Sequence, residues 1–144
     1  MKEQDTIKLL RECDAGARMG MDSLNGVLSA AETPELRGLL KESLDSHETV
    51  SHDITEALHR FDDEGKKPNP MASGMSWLKS HAELMLDRSD ATIADLMTDG
   101  CAMGIKSLSK YLNQYKAADE DAKGLARKLI GLEEKLSQDL RGYL

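Results

Sequence analysis

Aromatic side chains are scarce in this chain: one Trp, one Phe and three Tyr make up 3% of its 144 residues. Sandwiches and barrels draw heavily on aromatic and β-branched residues, so the scarcity points away from them. Proline occurs three times, two of them in the single segment Glu64-Gly65-Lys66-Lys67-Pro68-Asn69-Pro70, which is the one long helix breaker. Two cysteines are too few for a disulfide scaffold, so a reducing cytoplasm is the expected compartment. No apolar run approaches the roughly 20 residues that span a bilayer. The opening Met1-Lys2-Glu3-Gln4-Asp5 lacks the hydrophobic stretch of a signal peptide. A net charge of -7 argues against nucleic acid or an anionic membrane as the main partner. What is plentiful is Leu, Ala and Met, in a length that suits one domain, residues 1–144, with a real core.

The chain also repeats itself. Gly16-Ala17-Arg18-Met19-Gly20-Met21-Asp22-Ser23-Leu24 reads again as Gly100-Cys101-Ala102-Met103-Gly104-Ile105-Lys106-Ser107-Leu108, 84 residues on. The stretch from Arg37-Gly38-Leu39 to Ser51-His52-Asp53-Ile54 matches the one from Lys123-Gly124-Leu125 to Ser137-Gln138-Asp139-Leu140 at an offset of 86. One small length change in a connecting turn accounts for the difference. The chain therefore reads as two helical hairpins of one design, neither able to bury its apolar stripe alone.

Periodicity and punctuation predict five helices. The first runs from about Thr6 to Ala31, with Ile7, Leu10, Ala17, Met21, Leu24 and Leu28 on one stripe. Thr33-Pro34 ends it and starts the second, with threonine as N-cap and proline at the first helical position. That helix carries Leu36, Leu40, Leu44, Ile54, Leu58 and Phe61 to about Asp62. A short amphipathic crossover helix follows the breaker, with Met71, Met75, Leu78, Ala82 and Met85 on one face. Ser89-Asp90 caps the next long helix, which runs to about Lys116, and Asp119 opens the last.

The two short turns make antiparallel pairs. The long link from about Glu64 to Ser89 can return along a helix of two dozen residues, ~36 Å at ~1.5 Å per residue. The expected fold is an all-α four-helix bundle with one long crossover. This chain resembles the ferritin-like superfamily, and in particular a small bacterial branch of it whose first helix reads Leu, Cys and then a glycine-rich turn. Leu10, Cys13, Gly16 and Gly20 match that opening. The resemblance implies the ferritin-like bundle, and in its enzymes a di-iron site. There the first and third long helices each supply a carboxylate, and the second and fourth a Glu-x-x-His pair.

The ligand pattern is absent here. Gly16, Ala17, Met19 and Gly20, and again Gly100, Ala102, Met103 and Gly104, stand where glutamates would be. Glu48 and His52 are four apart rather than three, and the aligned pair is Glu134 and Gln138. A symmetric metal pair is not expected. The polar residues nearest the apolar stripes are Asp14, His47, Asp99 and Glu133, which form a weak candidate set for one iron, zinc or manganese ion. His47 and Glu133 are repeat equivalents and can face each other, so a buried histidine–carboxylate hydrogen bond is the plainer expectation.

Gly16, Gly20, Gly100 and Gly104 carry a packing expectation. Each helical glycine costs about 1 kcal/mol relative to alanine, so four at matching positions suggest close approach of the first and third long helices, or of another subunit. A crossing near Arg18 and Ala102 would set Cys13 and Cys101 ~9 Å apart along the axis, beyond the ~7 Å reach of a disulfide. The eight methionines read as adaptable core filling, Trp77 as a cover over the bundle, and His59 and His81 as solvated or locally bonded. No phosphate loop, Ser-His-Asp set or basic patch is present. The functional expectation is a non-enzymatic bundle, without cofactor, acting through self-association or a protein partner. A metal-binding or redox protein built on His47 and Glu133 is the alternative.

Overall fold

Residues 2–63, 65 and 89–144 are described by a computed structural model, and among them the architecture is four long helices. Helix α1 covers Lys2–Leu28, α2 Pro34–His59, α3 Asp90–Gln114 and α4 Glu120–Leu140, and a 3-10 turn at Arg141–Tyr143 follows. The expected crossover helix, with Trp77 and His81, lies outside the described residues.

The helix ends follow from which side chains are engaged elsewhere. α1 begins four residues before the expected Thr6, with Glu3 and Asp5 favouring its positive end. Thr6 does not cap it; its hydroxyl accepts the backbone N–H of Asp119 at 2.8 Å, while Asp5 accepts that of Ala117 at 3.0 Å. Thr33 holds the N-cap position of α2 with Pro34 behind it, but its side chain makes no cap bond. Its hydroxyl donates to Asp90 instead, and that carboxylate also accepts the N–H groups of Glu32 at 3.1 Å and Thr33 at 3.3 Å. Ser89 and Asp119 do cap their helices, accepting from Thr92 and Ala122. At the other end of α2, Asp62 turns the chain with φ 54, a left-handed conformation that Asp tolerates.

Among the described residues, the α1–α2 and α3–α4 turns are thus each clamped by the start of a helix from the opposite hairpin. The clamps fix direction: the start of α3 lies at the start of α2, and the end of α3 at the start of α1. α2 and α3 therefore run parallel and α1 and α3 antiparallel. α1 and α4 also touch across the diagonal, whereas α2 and α3 barely meet.

The core is two clusters rather than one. Leu24, Val27, Leu36, Leu40, Leu44, Ile93, Leu96, Leu136 and Leu140 fill one end. Leu9, Leu10, Cys13, Ala17, Ile54, Leu58, Leu108, Ala126 and Leu129 fill the other. Burying a side chain such as Leu contributes on the order of 1.5–3 kcal/mol, and both ends are well supplied. Polar groups occupy the waist between them.

Candidate functional site

His47 sits at that waist because the three- and four-residue steps Leu40, Leu44, His47, Ile54, Leu58 keep it on the inward face of α2. It is fully buried. Nδ1 lies 2.8 Å from the carbonyl of Ser43, one turn back. A carbonyl only accepts, so Nδ1 carries a proton. Nε2 lies 2.8 Å from Oε1 of Glu133 on α4. One further proton must occupy that link, as imidazolium with carboxylate or imidazole with carboxylic acid. Burial opposes charge on the ring, but the hydrogen bond and charge of Glu133, with the Ser43 carbonyl, outweigh it and hold His47 above its ordinary pKa. The Glu133 carboxylate thus favours the protonated ring.

Cys101 on α3 completes the group. Burial pushes its thiol up, and the charge of Glu133 and a hydrogen bond to it push further. Cys13, in the other cluster, is raised to about 12 by burial and by Glu12 and Asp14. Both cysteines are unpaired and buried. Neither thiol is poised as a nucleophile.

The four paired glycines line a cavity of about 350 Å³ between α1 and α3, with Met19, Leu24, Met97, Cys101, Leu108, Leu129, Glu133 and Leu136 among its walls. A Cβ on Gly20 would meet the His47 ring at 3.2 Å and Glu133 at 3.5 Å. One on Gly104 would meet Glu133 at 3.6 Å, and one on Gly16 only Leu108 at 3.9 Å. α1 and α3 are in contact, with Leu108 of α3 nearest to Gly16, and His47 and Glu133 reach in from α2 and α4 beside Gly20 and Gly104.

Of the four candidate ligands, only His47 and Glu133 come together. Asp14 is buried but bonds Arg18 Nε at 3.2 Å, and the Cβ that Gly65 lacks would overlap its Oδ2. Asp99 is exposed, as are Glu48, His52, Glu134 and Gln138. His52 pairs at the surface with Glu56 at 3.2 Å. Among the described residues no group of three or more His, Cys, Asp or Glu converges as a metal ion needs. Sequence reasoning missed the contact of Cys101 with Glu133 and missed the cavity, although the paired glycines were its signal.

No protein-family model, no curated protein and no solved structure matches this chain.

Proposed function

We propose that this chain is a non-catalytic, ferritin-like bundle that works by binding, with the α1–α3 cavity as its site. The cavity carries the reading: about 350 Å³ of mostly apolar space falls in the range of small-molecule pockets. The ferritin-like assignment draws support from the parallel α2 and α3 and from clamps that exchange between hairpins. Thr6 and Asp90 stand 84 residues apart, their partners Thr33 and Asp119 86 apart, the same offsets as the sequence repeats. The non-catalytic reading draws support from engagement: both nitrogens of His47 are bonded, and burial pushes both thiols up. A second copy or a protein partner would engage the same face, where Met103 borders the cavity half-exposed.

The neutral fluorophore N-phenyl-1-naphthylamine, which brightens in apolar surroundings, tests this. It should brighten with the parent protein and raise its melting temperature, as any ligand of the folded state does. Gly16→Leu, which places a side chain in the cavity, should abolish both effects. Equal brightening with the filled variant would refute the site.

The second reading is a metal centre on His47 and Glu133, favoured by their 2.8 Å approach beside Cys101. It predicts about one tightly held transition metal per chain in protein purified without chelator. The binding reading predicts none, before or after iron loading.

A further inference from the structure

The chemistry of the cavity wall narrows what it can hold, given the binding reading above. Its volume of about 350 Å³ is roughly twice the ~150 Å³ apolar cavity that accepts benzene. Met19 and Met97 give the wall a soft, adaptable surface against Leu24, Leu108, Leu129 and Leu136. Ser23 already donates its hydroxyl to the Met19 carbonyl at 3.0 Å.

Glu12, Ser107 and Tyr111 also line the cavity, and Glu133 is a polar point of its wall with capacity to spare. A carboxylate offers about four lone-pair directions. His47 occupies one on Oε1. Oε2 lies 3.6 Å from where a Gly104 side chain would begin, so the missing Cβ leaves an approach to it. Charge then sorts the guests. Among the described residues that line the cavity there are two carboxylates, Glu12 and Glu133, and no lysine or arginine, so an anion would meet like charge. At the Glu133 end His47 already supplies the counter-charge, so an ammonium group placed there would lose its hydration with no full compensation.

We propose that the α1–α3 cavity binds an uncharged, mainly apolar molecule of about a dozen heavy atoms whose single hydroxyl donates to the Glu133 carboxylate. The rigid alcohol class (a phenol or a compact alicyclic alcohol) fits this description.

Titration calorimetry of the full chain with three matched aromatic probes, 2-naphthol, naphthalene and 2-naphthoate at pH 6.5, tests the proposal. A hydrogen bond to a charged acceptor is worth about tenfold or more in affinity, so 2-naphthol should bind about tenfold tighter than naphthalene. It should exceed 2-naphthoate by at least that. Glu133→Gln, which keeps shape and removes the charge, should shrink both ratios severalfold. Binding of 2-naphthoate as tight as 2-naphthol would overturn the ligand class yet leave the cavity a binding site. Naphthalene matching 2-naphthol, or unchanged ratios in Glu133→Gln, would overturn the role of the carboxylate. Failure of all three probes to bind would sink the binding reading as well.

Discussion

His47 and Glu133 meet at 2.8 Å and stand 86 positions apart, the offset that relates the second pair of repeated segments. The contact joins α2 to α4 at the waist between the two hydrophobic clusters. Two identical ionisable groups there would repel or compete for one proton. Unlike residues can donate and accept, as the imidazole and the carboxylate do here. The pair also explains why the interior holds no loose polar group: among the described residues, no buried side-chain nitrogen or oxygen lacks a partner.

Breaking the pair should be worse than removing it. His47→Leu or Glu133→Leu alone should cost about 2–4 kcal/mol, because the remaining polar group loses its partner. The double variant should cost no more than the worse single. Chemical denaturation of the four proteins measures this, and additive losses would show the pair to be uncoupled. The pH dependence has a definite sign. A raised folded pKa on His47 means its stabilising contribution is complete below about 6.5, the ordinary histidine value. That contribution is lost as pH rises through the folded value. Parent stability should therefore decline as pH rises above about 6.5, and the double variant should lack that decline.

The glycines should respond differently to the same change. Gly16→Ala and Gly104→Ala place a methyl at ordinary contact distances of 3.9 and 3.6 Å, and each should gain up to about 1 kcal/mol in helix propensity. Gly20→Ala presses on the His47 ring at 3.2 Å, and that ring is pinned by two hydrogen bonds. It should destabilise, and Gly20→Leu should cost several kcal/mol through overpacking. Thermal melts of the series decide. Equal shifts at all three positions would mean that His47 yields freely.

The thiols should be silent in the native state. Cys13 and Cys101 are buried, unpaired and raised in pKa, so an aromatic disulfide reagent at pH 8 should react slowly with both. In denaturant without reductant it should titrate two thiols per chain. A count near zero would reveal a disulfide and overturn the packing that puts one cysteine in each cluster.

Much of the bundle was legible in the chain itself. Leu and Ala at three- and four-residue steps, Pro34 at the start of α2 and the caps Ser89 and Asp119 are local signals, and local hydrogen bonding and burial act on them directly. The same periodicity put His47 inward, and the repeat supplied Glu133 as its partner. The end of α2 at His59 rather than Asp62 comes with the left-handed turn at Asp62, and at the start of α1, at Lys2, Asp5 and Thr6 bond across hairpins instead of within their own turn. The fate of the glycines was likewise settled in three dimensions. A glycine stripe permits close approach but does not impose it. What stands beside Gly20 and Gly104 depends on how far His47 and Glu133 reach from α2 and α4. That distance is set by the packing of all four helices and is written in no single segment.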